Sequence, residues 1–118
     1  MSDYDDLVKA YNFGNYMAVI QNQIKLAKHK MKKQLRYAMN GGIFDITPEF
    51  IIHMKSYADQ GIYRGVFIDI NENPILIEDL EEFFQTVIEI ERTVLNEYYE
   101  EITAIRKKRS LMEFLDEA

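Results

Sequence analysis

A mostly α fold is the class this sequence predicts: two long packed helices, a short third helix and a small β-hairpin, forming a single helical domain over 1–118. Three observations carry it. Apolar residues step by three and four at Leu80, Phe83, Phe84, Val87, Ile90, Val94, Tyr98, Ile102 and Ile105, which is the spacing of one helix face. A second series does the same at Met17, Ile20, Ile24, Ala27, Met31, Leu35 and Ala38, a near-heptad seam suited to packing helix on helix. Between the two, the period changes. Gly65–Ile70 and Pro74–Ile77 are short, rich in β-branched residues and separated by the turn residues Asn71-Glu72-Asn73.

The elements follow in order. Ser2 with Asp5 has the pattern of a capping box, so a short helix is expected from Asp3 to about Asn12. Asn12-Phe13-Gly14-Asn15 is the first expected break. Asn15 then caps the second helix, expected to reach Met39, where Asn40-Gly41-Gly42 ends it because glycine accepts the left-handed conformation of a helix terminus. Thr47-Pro48-Glu49 opens the short helix: Thr caps, Pro fits the first position and Glu suits the first turn. Phe50, Ile51, Met54, Tyr57 and Ala58 form its inward side, and it stops at Gln60 before Gly61. The segment 65–77 reads as a small β-hairpin or as an extended loop leading into the last long helix. A lone hairpin is marginal in water, so it must lie on the helices or pair with another copy.

The last long helix is expected over Ile77–Arg109. Glu78, Asp79, Glu81 and Glu82 crowd its start and Arg106, Lys107, Lys108 and Arg109 its end, an order that suits the helix dipole. At 1.5 Å per residue it makes a rod of roughly 45 Å. It therefore projects or packs lengthwise on an equally long partner, and the other long helix, antiparallel to it, is the simplest choice. Ser110 with Glu113 repeats the capping pattern, so the tail 110–118 reads as a separate short element.

Composition bounds the function. With 118 residues, 47% apolar and 29% charged, the chain fits one folded domain. It has no cysteine, which removes disulfides, thiolate zinc sites and thiol nucleophiles together. Asp3, Asp5 and Asp6 stand where a secretory signal would carry cations, and no apolar run reaches the ~18 residues of a membrane span. The cytoplasm, of a host cell if the chain is phage-encoded, is the expected location, with no membrane partner.

Chemistry-bearing patterns are sparse. Asp69, Asn71 and Asn73 match the first, third and fifth ligand positions of an EF-hand loop. Pro74 then stands where the loop needs Gly, and Leu80 where it needs a bidentate Glu. His29 and His53 sit in no E-x-x-H or H-x-x-x-H arrangement. Ser2, Ser56 and Ser110 have no nucleophile signature, and Gly41-Gly42 precedes no phosphate-binding Lys. The expectation is a protein that is not an enzyme, with no catalytic, cofactor-binding or metal-binding residue.

The charge is distributed unevenly. Met1–Phe44 holds seven Lys/Arg and three Asp, whereas Asp45–Ala118 holds seven Lys/Arg and seventeen Asp/Glu. Six of the cations fall between Lys25 and Arg36. On a helical wheel Lys25, Lys28, Lys32 and Arg36 form one stripe beside the apolar seam, opposite in sign to the Glu89–Glu101 stretch of the last helix. Protein contact is the first reading of that stripe. Nucleic-acid phosphates are the alternative, weakened by the net charge of −6 and the lack of Trp. Leu111, Phe114 and Leu115 follow a basic patch at helical spacing, so the tail either folds back or docks in a groove on a partner.

The segment Glu81–Leu115 covers about a third of the chain. It includes Leu95-Asn96-Glu97-Tyr98-Tyr99-Glu100-Glu101 and then Arg106-Lys107-Lys108-Arg109-Ser110-Leu111. It resembles the C-terminal part of small helical accessory proteins encoded by contractile-tailed bacteriophages. The resemblance implies a role in virion assembly or structure, or a phage-encoded accessory factor, and assigns no role to any residue. The expectation is thus a helical interaction protein. It would bind itself and another protein through Lys25, Lys28, Lys32, Arg36, Leu111, Phe114 and Leu115, as a homo-oligomer in phage particle assembly. The alternative is an accessory factor that touches nucleic acid, or the replication or transcription machinery, through Lys25–Arg36 and the tail.

Overall fold

The structure, a computed structural model, describes residues 2–117, with side chains from Asp3 to Leu115. Its elements are α1 (Ser2–Gln34), β1 (Arg36–Met39), β2 (Gly42–Asp45), α2 (Pro48–Asp59), β3 (Gly65–Ile68), β4 (Pro74–Ile77) and α3 (Leu80–Glu117). The mostly α fold with two long helices and a short one is therefore present, with two small antiparallel hairpins rather than one. The chain forms two compact units. One is helical, Met1–Lys30 with Glu97–Ala118; the other is mixed, Met31–Asn96.

In the helical unit, α1 buries Ile20 and Ala27 and half-buries Met17 and Ile24, the seam read from the sequence. Ile102 is buried on α3, with Tyr98 and Ile105 half-buried beside it. The helices run antiparallel. Lys30 meets Glu101 at 2.8 Å, while Phe13 and Tyr16 share a hollow with Met112 and Leu115. The break expected at Asn12–Asn15 does not occur, and α1 passes unbroken through Gly14. A helical glycine costs only ~1 kcal/mol relative to alanine, less than the seam on its C-terminal side recovers by burial. Nothing lies within 4 Å of where a Gly14 Cβ would point. Gly14→Ala is therefore expected to stabilise the protein by about 0.5–1 kcal/mol, read as a higher urea midpoint at unchanged m-value.

The mixed unit corrects the expected end of α1. The helix stops at Gln34, not Met39, and residues 36–45 form a hairpin with Tyr37 opposite Phe44 and Met39 opposite Gly42. Asn40 and Gly41 both have positive φ, 51° and 81°, the two-residue turn that Asn-Gly favours between strands. The glycine reads correctly as a left-handed position, but it closes a hairpin, not a helix. Burial decides between the two: Phe44 is 1% exposed and its ring lies 5.4 Å from that of Phe83. Ala38, expected on the helical seam, is exposed.

The short helix agrees closely with its sequence signals. Thr47 Oγ1 accepts from the Phe50 N–H at 3.1 Å, Pro48 opens the first turn, and Gly61 follows with φ 72°. Met54 is buried and Phe50, Ile51 and Tyr57 are half-buried, though Ala58 faces solvent. The segment 65–77 forms the hairpin, not the extended loop, and pairs Gly65 with Ile77 and Ile68 with Pro74. Ile77 therefore belongs to a strand, and α3 starts later than expected, at Leu80. Asp79 caps it, its Oδ1 accepting from the Glu82 N–H at 3.0 Å.

The core of this unit is Phe44, Ile46, Met54, Phe67, Ile77, Leu80, Phe83 and Val87, drawn from both hairpins, α2 and the first turns of α3. The hairpins are joined directly. The Ile70 N–H donates to the Ile43 carbonyl at 2.9 Å, and a Cβ on Gly42 would stand 2.6 Å from Ile75 Cγ1. Only glycine permits that approach without displacing Ile75.

Candidate interaction surface

Of the expected partner-binding cations, Lys25 and Lys28 are exposed on α1 in the helical unit, and Lys32 is exposed on the last turn of α1 in the mixed unit. Arg36 is not on the helix. It opens β1 and its Nε donates to Asp45 Oδ1 at 2.8 Å, across the first residue pair of the hairpin. The four-residue helical stripe is thus a three-residue one. Arg36 leaves it because α1 ends two residues earlier, where the chain turns to bury Phe44.

Among the described residues the α1 cation that meets the acidic helix is Lys30, which lies outside the stripe expected from the helical wheel. Its Nζ bonds Glu101 Oε1 at 2.8 Å. That hydrogen bond, then the charge of Glu101 and more weakly that of Glu97, hold the Lys30 pKa above its ordinary value. Both side chains remain substantially in water, so the pair sets which residues face each other more than it adds stability.

The tail is neither a separate element nor folded back. α3 continues through Ser110, which caps nothing, and Arg109 Nε reaches Glu113 Oε1 at 3.1 Å one helical turn on. An uninterrupted run of helix formers with an i,i+4 ion pair outweighs a lone serine signal. Leu111, Phe114 and Leu115 share one side of α3 and are 59%, 67% and 56% exposed. Leu115 and Met112 also border a hollow of about 260 Å³ whose other wall is Lys9, Asn12, Phe13 and Tyr16 of α1. The Tyr16 hydroxyl is buried and, among the described residues, has no hydrogen-bond partner.

A further surface escaped the sequence reading. On α1 the apolar residues Tyr4, Leu7, Tyr11, Val19 and Leu26 are each more than half exposed, and Val8 is 40% exposed. Leu26 borders, with Ala27 and Lys30, a groove shared with Glu101, Ala104 and Ile105 of α3, whereas Tyr4, Leu7, Val8 and Tyr11 lie on the side of the helix away from Ile20 and Ala27. Their signal was present as a helical spacing, but the break expected at Gly14 divided it between two elements.

Among the described residues no three His, Asp or Glu side chains come together as a metal site, and no helix is long and apolar enough to cross a membrane. Both oxygens of Asp69 are taken up by backbone N–H groups: Oδ1 accepts from Asn71 and Asn73 at 2.9 Å each, Oδ2 from Ile43 at 3.2 Å. This is a hairpin turn tied to its neighbour, and a cation there would have to displace three donors. His53 packs edge-on against Tyr57 and Phe67, while His29 is exposed. Comparison of the chain with protein-family models, with curated proteins and with solved structures finds no match.

Proposed function

We propose that this protein is a non-enzymatic helical interaction protein that associates with itself and docks on another protein, in the assembly or structure of a phage particle formed in the host cytoplasm. One observation carries the association. Among the described residues the helical unit has two helices, and Tyr4, Leu7, Tyr11, Leu111, Phe114 and Leu115 are each more than half exposed there. Two helices cannot cover apolar residues on their outer sides, and a concentration of large ones marks a surface to be covered. The phage setting is supported by the resemblance of Glu81–Leu115 alone. Light scattering on the purified chain is expected to give at least twice the mass of one chain at micromolar concentration. A monomer at every concentration up to the millimolar range would end this reading.

A second reading draws on the basic residues. Lys25, Lys28 and Lys32 are exposed and none has an acidic partner among the described residues, so they are available to phosphates. In that reading the protein is a phage-type accessory factor binding nucleic acid, or the replication or transcription machinery, through this helix face. The triple variant Lys25→Glu, Lys28→Glu, Lys32→Glu separates the two. If wild type binds DNA or RNA with an affinity that falls steeply with salt, and the folded variant does not, the accessory-factor reading replaces the assembly one.

A further inference from the structure

We propose that the outer face of α1 is where a second copy of this chain binds, α1 against α1 and antiparallel; this rests on the self-association reading and specifies its surface.

The first support is geometric. Residues nine apart on an α-helix point in opposite directions, roughly 180° around. Tyr11 therefore opposes the buried Ile20, and Ala18 opposes the buried Ala27. Taking Tyr11 and Ala18 as the centre of the outer face, positions 4, 8, 11, 15, 18 and 22 step by four and three: Tyr4, Val8, Tyr11, Asn15, Ala18 and Asn22. None carries a charge, and Leu7 and Val19 widen the strip. α1 thus has an apolar seam on each side. α3 lies along one, and the other is open over about 27 Å. A helix that is apolar on two opposite sides has the pattern of one packed between two others.

The second support is charge, and it chooses both the occupant and the direction. α1 begins with Asp3, Asp5 and Asp6, has no acid after them, and carries Lys25 and Lys28 near the other end of the strip. Asp3, Lys25 and Lys28 fall on the same flank of the outer face. In an antiparallel pair each flank faces its own counterpart, so Asp3 of each copy comes beside Lys25 and Lys28 of the other. A parallel pair would set aspartate level with aspartate and lysine with lysine. The chain is therefore complementary to itself in one direction only. One register fits the side chains as well. Val8 lies opposite the copy's Ala18, and Tyr4 and Tyr11 lie opposite the copy's Asn22 and Asn15, which places phenol hydroxyls beside amides that can pair with them.

The chain has no cysteine, so engineered ones report cleanly. Val8→Cys and Ala18→Cys chains, mixed and oxidised, are expected to form a covalent heterodimer, while each alone forms little. Tyr11→Glu, at a position 70% exposed in one chain, is expected to keep the helical circular dichroism and weaken association by tenfold or more. Efficient linking of Val8→Cys to itself would overturn the antiparallel direction. An oligomeric wild type whose mass is unchanged by Tyr11→Glu would overturn this surface while leaving self-association intact. A monomeric wild type would overturn both.

Discussion

Phe83→Ala is expected to destabilise the mixed unit by about 3–5 kcal/mol, the largest effect of any single truncation in the protein. Phe83 is 1% exposed and meets three other aromatic rings: Tyr37 at 5.3 Å, Phe44 at 5.4 Å and Phe50 at 6.2 Å, all edge to face. These rings come from β1, β2 and the first turn of α2, so one side chain at the start of α3 ties three other elements together. Edge-to-face pairs add to the stability that burial alone supplies, and the cavity left by alanine lies among rings too rigid to close on it. Domains of this size are stable by ~5–15 kcal/mol, so the variant loses roughly a fifth of that or more. Urea denaturation should show a lower midpoint, and near-ultraviolet circular dichroism a loss of tyrosine ordering. Tyr99→Ala, at a position 71% exposed on the same helix, serves as the control and should lie within ~0.5 kcal/mol of wild type. Equal effects at the two positions would mean that the Phe83 ring is not the centre of this core.

The same residues show what the sequence could and could not give. Phe83, Val87 and Val94 on α3, and Ile20 and Ala27 on α1, are buried where a period of three and four places them, because burying one face is what makes a long helix stable in a small protein. Thr47-Pro48 and the 65–77 hairpin were equally legible, since cap and turn preferences act over a few residues. The segment Arg36–Asp45 was not. Ala38 and Leu35 continue the helical period by coincidence, and only the long-range contact of Phe44 with Phe83 makes a hairpin the lower-energy choice. That one misplaced boundary carried Arg36 into a basic helical stripe to which it does not belong. At the other end, weighting Gly14 as a break hid the outer face of α1. The glycine penalty is local and small, whereas the seam it interrupts runs on either side. The Lys30–Glu101 pairing was foreseeable as an attraction between helices of opposite charge, but not residue by residue. Which lysine reaches which glutamate depends on the rotation of each helix, and composition does not encode that.

Asp69→Ala is the second substitution with a large expected effect, and its consequence depends on pH. The Asp69 side chain is buried, and its carboxylate holds the 69–73 turn and the Ile43 N–H of the other hairpin at once. The N–H of Asn73 is the main reason its pKa lies below the ordinary 3.8; burial opposes that shift, and the N–H groups of Ile43 and Asn71 reinforce it. A carboxyl group with a lowered pKa in the folded state stabilises that state at all pH values above its unfolded pKa. The contribution is lost as pH falls from there through the lower folded value. Alanine leaves three donors without an acceptor, and the thermal midpoint at neutral pH should drop on the order of 5–10 °C. Asp69→Asn keeps the shape and one acceptor oxygen but removes the charge, so it should fall between alanine and wild type. The gap between wild type and Asp69→Asn should be constant from neutral pH down to about pH 5 and close below pH 4, as the wild-type group takes up its proton. Measuring both proteins side by side cancels the other carboxylates, which titrate in each. A gap that persists unchanged to pH 2.5 would mean that the two hairpins are joined by the Ile70–Ile43 backbone bond and the packing of Ile75 on Gly42, with no contribution from the charge on Asp69.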